Sequence, residues 1–413
     1  MQIPWTSPQR LAAALGLTTS LTVGCASAPP PRAESAFTPP ATTRGPATDA
    51  APPERLEPTI RVCGQDVRIS AEALVCNDLQ FDDLRALAEL TSLRQLDLSR
   101  TGVTDLSPLA GRTRLESLDL QSTDVTDLTP LATLTGLERL RLVYRTTATT
   151  AHPRVLTALA RPTPKVDLGP LARLPALQRV ELGFIAVDSL APLAVPRGLR
   201  RLGLVAIEAP ANALAALAGL TELERVGLFD APCRNLEALS TSTRMTHLSV
   251  HRCKRVDLRH LAALTELRTL TLSAVEGRGA RELSTLTRVR ELDLSESRLD
   301  DYTFIRHLTG VASVDLSRST VTDLTALASL SQLRFLDVSK TQVSRLMALE
   351  KLTGLERLRV SGNSEPAAAH PDPKLAAAVT RLERRLPKLR VEYDSGSSTV
   401  LPRTLAVFDD DAP

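Results

Sequence analysis

From residue 93 onward one short apolar pattern recurs. Segments of the form apolar-x-x-apolar-x-apolar begin at Leu93 (LRQLDL), Leu115 (LESLDL), Leu137 (LERLRL), Leu177 (LQRVEL), Leu199 (LRRLGL), Leu223 (LERVGL), Met245 (MTHLSV), Leu267 (LRTLTL), Val289 (VRELDL), Val311 (VASVDL), Leu333 (LRFLDV), Leu355 (LERLRV) and Leu386 (LPKLRV). Nine of the twelve steps between them are 22 residues long, and the others are 40, 24 and 31. So short a unit cannot enclose its own apolar side chains. It buries them only by stacking on further copies, so the period dictates a solenoid. Composition agrees: Leu dominates and aromatic residues are 3% of the chain, which suits one small packing unit used many times better than a large enzyme core.

Numbering each copy from its first apolar residue, the alternating part reads as a short strand with places one, four and six turned inward. The chain then turns near place nine, buries place eleven and enters D-L-x-P-L. The Asp of that segment (Asp105, Asp127, Asp167, Asp257 and Asp323) is suited to cap a helical or 3₁₀ turn, because its carboxylate accepts from free N–H groups.

The best copies, TSLRQLDLSRTGVTDLSPLAGR and TRLESLDLQSTDVTDLTPLATL, resemble the leucine-rich repeat, specifically its 22-residue internalin-like class. The resemblance covers roughly residues 71–393. It implies an α/β leucine-rich-repeat solenoid, with a curved parallel β-sheet on the concave face and short helical or 3₁₀ turns on the convex side. The family usually has Asn at place nine. Here Thr101, Thr123, Ser297, Ser319 and Thr341 fill it, Asn363 alone matches, and the middle copies carry Ile185, Ile207, Ala231 and Cys253. Hydroxyls can replace part of an Asn ladder and apolar residues cannot, so the central turns are expected to be less regular than the ends.

Counting back 22 from the first clear copy makes 71–90 a degenerate repeat, with TIRVCGQDVRI before it as a strand laid over the end. The expected organisation is a cap over 58–90, repeats over 91–365 with an insertion near 144–165, a helical cap over 366–393 and a flexible tail over 394–413. The insertion has two readings, a tolerated loop or a decoration of the binding side. Cys63 and Cys76 would staple the first cap. Cys233 and Cys253, at places eleven and nine of adjacent copies, are either a second disulfide or two buried thiols.

The N-terminus reads as an export signal. Arg10 precedes the apolar run LAAALGLTTSLTVG, about 14 residues long where a membrane span needs about 20. The run ends at Cys25, and L-T-V-G-C resembles the lipobox of bacterial lipoproteins, with Thr22 where Leu is usual. Residues 1–24 are then a signal peptide, Cys25 is the lipidation site, and the protein is exported and lipid-anchored at the cell envelope, the outer membrane being favoured by Ala26. The alternatives are a secretory signal cut after Ala26-Ser27-Ala28 and an uncleaved anchor. Residues 26–57 hold eight prolines and no apolar period, as a disordered spacer would.

Strand side chains at places three, five and seven face solvent. Place three of successive copies reads Gln95, Ser117, Arg139, Arg179, Arg201, Arg225 and His247, so four arginines stack on neighbouring strands, with Arg141 beside them and Tyr144, Phe184 and Phe229 near the edge. Opposed like charges are unfavourable in a sheet, and a ladder of them points to an acidic partner; solvated repeat positions are the bland alternative. Asp97, Asp119, Asp293, Asp315 and Asp337 at place five make the outer copies acidic. The net charge of +3 does not favour nucleic acid. No glycine-rich phosphate loop, HExxH or GxSxG occurs. His247 and His251 are about 13 Å apart by strand rise, too far to share a metal with Cys253. The sequence thus predicts a monomeric, cofactor-free and metal-free interaction module rather than an enzyme, binding a protein partner through its concave face. An envelope scaffold without a specific ligand and a receptor for an acidic glycan are the other readings.

Overall fold

The structure is a computed structural model that describes residues 57–76, 81–144, 163–362 and 373–393. Cys25 and the export signal, nearly all of the proline-rich spacer, the body of the insertion, Asn363 and the tail lie outside the described residues.

The chain opens with an antiparallel hairpin, β1 (Thr59–Val62) and β2 (Gln65–Arg68). A single strand was expected there. The difference lies in Cys63-Gly64, which both take positive φ (53° and 74°) and so form the two-residue turn that matches hairpin twist. Next come β3 (Ala73–Val75), β4 (Gln95–Asp97), β5 (Ser117–Asp119), β6 (Arg139–Val143), β7 (Arg179–Gly183), β8 (Arg201–Val205), β9 (Arg225–Phe229) and β10 (His247–His251). Beyond them lie β11 (Val256–Asp257), β12 (Thr269–Ser273), β13 (Glu276–Arg278), β14 (Glu291–Asp293), β15 (Arg298–Leu299), β16 (Ser313–Asp315), β17 (Phe335–Asp337), β18 (Arg357–Arg359) and β19 (Arg390–Glu392). One parallel sheet of 14 strands runs from β3 to β19, and β11, β13 and β15 form a small second sheet behind it. Most strands lead into a 3₁₀ turn, as in Thr129–Thr133 after β5. The molecule is a leucine-rich-repeat solenoid, with the long sheet on its concave side.

Register follows the apolar period. Leu96, Leu118 and Leu140 lie opposite one another, and so do Val226, Leu248 and Leu270. All six are at most 2% exposed, so the core is a stack of aliphatic layers. The last strand departs from the pattern. Val391, not Leu389, lies opposite Leu358, two residues later than the LPKLRV spacing implies. Its cause is the helix α1 (Pro373–Arg385), which buries Leu375, Val379 and Leu382 on one stripe. Leu386 and Leu389 continue that packing at the helix end, through Leu386 N–H donating to Leu382 O and Leu389 N–H to Leu386 O. Arg381 ties α1 to the preceding repeat through Glu350 at 2.9 Å.

The Asp caps form in each copy where the sequence placed one. Asp105, Asp127 and Asp167 each accept from the N–H two residues on at 2.8 Å, and Asp323 and Asp257 do so at 2.9 and 3.2 Å. Asp301 adds one more, at 2.6 Å. The Arg259 side chain holds the Asp257 carboxyl down at about 2, and the hydroxyls of Ser107, Thr129 and Thr325, with the cap bonds second, lower Asp105, Asp127 and Asp323.

The turns behave differently from expectation. Thr101, Thr123, Ser319 and Thr341 donate to the carbonyl three residues back within their own turn, at 2.6–2.8 Å. Ser297 instead reaches Leu272 O of the preceding copy. The central copies are the more extended ones: β6 to β10 and β12 have five residues, against three in β4, β5, β14, β16, β17 and β18. Ile185, Ile207 and Cys253 at place nine are buried. An apolar side chain there drops into the core, and the place-eight N–H still bonds to the next copy as it does in the hydroxyl copies, Phe184 N–H to Val205 O at 2.8 Å beside Arg100 N–H to Gln121 O at 2.7 Å.

Candidate partner-binding face

Place three of the central strands forms an unbroken column. Ser117 is followed across the sheet by Arg139, Arg179, Arg201, Arg225 and His247, each directly opposite the next. Adjacent strands are about 4.8 Å apart, so four guanidinium stems run side by side. All four arginines are half-buried, their aliphatic stems lying along the sheet. The Arg139 Nε is shielded from solvent and meets no hydrogen-bond partner among the described residues.

Arg141, at place five, is held between two carboxylates. It sits between Glu181 at 3.1 Å and Asp119 at 3.5 Å, and Glu181 is itself buried. Beyond that triad, place five turns small: Gly203, Gly227, Ser249 and Thr271 lie opposite one another. Place seven then carries Val205, Phe229 and His251 in a row. The centre of the face is therefore a trough, with a floor of small residues, one wall of arginine and one wall of apolar and ring side chains.

The ring wall has its own order. Phe229 and His251 are 5.5 Å apart between centroids and tilted by 40°. The Arg252 guanidinium lies 5.3 Å from the Phe229 centroid and pairs with Asp230 at 3.0 Å. His251 is 3% exposed and its Nε2 has no partner among the described residues. Burial, with Arg252 nearby, pushes its pKa down to about 4, so it is neutral at neutral pH. His247 stays half-buried, its Nδ1 2.8 Å from the Thr246 hydroxyl.

Two ring residues differ from the sequence reading. Tyr144 is buried at 7% exposure and belongs to the core. It is removed from the candidate contact residues. Phe184 packs partly against the core, its backbone at φ 56° in the turn, so only part of its ring borders the trough. The sequence reading missed Gly203, Gly227 and His251. The consecutive glycines of LRRLGL and LERVGL were a visible signal for the floor; nothing in the sequence marked the orphaned His251 nitrogen.

The place-five aspartates of the outer copies are tied into the fold. Asp97, Asp119, Asp293, Asp315 and Asp337 each accept from the N–H two residues on, at 2.7–2.8 Å. Burial is the main cause that lifts Asp119 and Asp315 to about 6, and it raises Asp293 too. Beyond the Asp337 column Arg359 reaches Glu392 at 2.6 Å and lies 5.4 Å from the Phe335 ring.

Cys63 is joined to Cys76 with Cα atoms 5.5 Å apart, and Cys233 to Cys253 at 6.0 Å. The second disulfide lies directly behind the ring wall, since the Cys253 Sγ is 3.6 Å from His251 O. Among the described residues no group of three or more His, Cys, Asp or Glu is placed to hold a metal ion, and no helix is long and apolar enough to cross a membrane.

No protein-family model and no curated protein sequence matches the chain. Solved structures do. An internalin (inlF) from Listeria monocytogenes is 20% identical with a TM-score of 0.52, over 83% of this chain and 87% of that one. A leucine-rich-repeat protein from Leptospira interrogans is 14% identical with a TM-score of 0.37, over 76% and 93%. The leucine-rich-repeat ectodomain of a plant membrane receptor kinase from Arabidopsis thaliana, solved in complex with Casparian strip integrity factor 2, is 14% identical with a TM-score of 0.46, over 76% and 39%. At such identities the likeness is one of fold, and the fold shared with the internalin is the leucine-rich-repeat solenoid.

Proposed function

We propose that the protein is a non-catalytic interaction module, exported and held at the cell envelope by a lipid on Cys25, which binds a protein partner through the central trough of its concave face. The observation that carries the reading is the column Arg139, Arg179, Arg201 and Arg225 facing the ring wall Phe229 and His251 across a floor of small residues. Arginine beside aromatic rings is the chemistry that binding centres favour. Four cations on adjacent strands give the centre of the face a positive character that an acidic surface complements. The two disulfides support an oxidising compartment. The solenoid itself supports interaction over catalysis, since its convergent groups present a surface rather than an enclosed cleft.

The test is capture from envelope extract with residues 58–413 as bait, beside a variant carrying Arg139→Ser, Arg179→Ser, Arg201→Ser and Arg225→Ser. Circular dichroism must first show that both baits fold alike. A protein partner retained by the native bait, lost by the variant and released by moderate salt is the expected result. Equal retention by both baits would move binding off this face. A retained species that resists protease would make the ligand an acidic glycan, and an empty native bait would leave the scaffold reading.

A further inference from the structure

Along the edge where the chain enters the long sheet, place two of each copy forms a second row. Where this row carries arginine, a glutamate one copy away generally faces it: Arg94 pairs with Glu116, Arg200 with Glu224 at 2.8 Å, and Arg334 with Glu356. The residues just before the strands use the same device, Arg244 with Glu222 and Arg288 with Glu266.

The row breaks this rule at Arg268 and Arg290. They stand on adjacent copies, Arg290 N–H donating to Arg268 O at 2.7 Å. The flanking members Thr246 and Ala312 carry no charge, through Arg268 N–H to Thr246 O and Ala312 N–H to Arg290 O, both 2.8 Å. Among the described residues no acidic side chain pairs with either arginine. Arg288 closes the group, and the three exposed arginines line one open groove of about 380 Å³. Two like charges set side by side, where neighbouring copies use opposite ones, are unfavourable unless an anion joins them.

Gly310 adds a second observation. A Cβ built there would fall 1.7 Å from the Arg290 Nη1 and 2.7 Å from its Cζ. Its φ lies outside the left-handed region, so the backbone does not itself demand glycine. The missing side chain is what lets the Arg290 guanidinium lie over Gly310, on the following copy, and so fixes where its fork stands beside the groove.

We propose that Arg268, Arg288 and Arg290 form an anion site for a phosphate monoester carried on a sugar-sized ligand, separate from the concave trough. Charge selects the class. Three guanidinium groups less the Glu266 carboxylate leave two positive charges, which a dianionic phosphate monoester matches and a singly charged sulfate ester does not. Geometry supports it, because planar forks present paired N–H donors to phosphate oxygens. The groove is larger than a bare phosphate, so the ester's sugar should add contact.

Isothermal titration of the full chain at fixed ionic strength tests this, with glucose 6-phosphate, glucose 6-sulfate and inorganic phosphate as probes. The native chain should bind glucose 6-phosphate saturably, with the other two several-fold weaker. Arg268→Ser with Arg290→Ser should weaken it at least tenfold. Gly310→Ala keeps every charge but displaces Arg290, and should cost about threefold or more. Arg234→Ser with Arg255→Ser removes two exposed charges elsewhere and should change nothing. Absence of saturable binding, equal loss in the Arg234/Arg255 pair, or an unaffected Gly310→Ala variant would overturn the site. Equal affinity for the sulfate ester would overturn its assignment to a dianion, and equal affinity for inorganic phosphate its assignment to an ester.

Discussion

At place eight almost every copy turns through a residue of positive φ, and only the last, Gly362, is glycine. Arg100, Ser122, Phe184, Ala206, Asp230, Arg252, Ala274, Glu296, Arg318 and Lys340 hold φ between 48° and 62°. This conformation costs an L-residue about 1–2 kcal/mol, offset by the next strand pairing that the turn makes possible. Ala274 offers the cleanest measure, since its φ is 54° and its methyl group can form no polar contact to lose. Ala274→Gly should raise stability by about 0.5–1 kcal/mol, the relief of strain less the extra entropy of glycine in the unfolded chain. Chemical denaturation would read it; a loss of stability would mean that the methyl packing outweighs the strain. Asp315 makes a second residue-scale argument. Burial and the flanking Asp293 and Asp337 raise its carboxyl to about 6 in the folded state, above the usual 3.8. The folded form thus prefers the protonated acid. The contribution is fully present below about pH 4 and is lost as the pH rises through 6. Asp315→Asn should therefore gain on the native chain by about 2–3 kcal/mol between pH 4 and pH 8, as paired melts would show. A pH-independent difference would place the carboxylate in a solvated environment.

At the scale of strand and turn, much was legible because it is periodic. The spacing of Leu96, Leu118 and Leu140 set the sheet register, and Asp105, Asp127 and Asp323 marked turn starts through a local bond that needs no tertiary knowledge. Failures came where two local signals compete. Leu386 and Leu389 fit a strand pattern, yet α1 claims them, which moves β19 by two residues. Apolar place nine cannot continue a hydrogen-bonded ladder, yet Ile185 and Ile207 are buried in the core of copies whose strands are the longer ones. On the candidate face, the arginine column could be read from place three alone, since alternation fixes which side chains point outward. Tyr144 could not, because place eight lies beyond the strand, where alternation no longer fixes which side chains point outward. The pairing of Arg141 follows from the same register, since Glu181 holds place five of the next copy directly opposite it.

The whole molecule is a chain of nearest neighbours. Most sheet and turn contacts join one copy to the next, so no copy is stabilised by a distant one and cooperativity passes through each interface in turn. A lesion in the middle should then behave differently from one at an end. Leu248 is fully buried in β10, between Val226 and Leu270, and Leu248→Ala removes the contact on both sides at once. A cavity of this kind costs about 3 kcal/mol, enough to uncouple the two halves when each retains several complete layers. The Cys233–Cys253 disulfide links the copies of β9 and β10 just behind this point, so it holds the halves together in the oxidised protein. Urea unfolding of Leu248→Ala should accordingly remain close to one transition with the disulfide intact and separate into two when Cys233→Ser and Cys253→Ser are added. Leu96→Ala, in β4 near the first cap, should only lower the start of a single transition in either background. The m-values decide between the cases: a split transition shares the native m between two steps. One transition with the full m in the triple variant would show that the halves are coupled by more than adjacent layers.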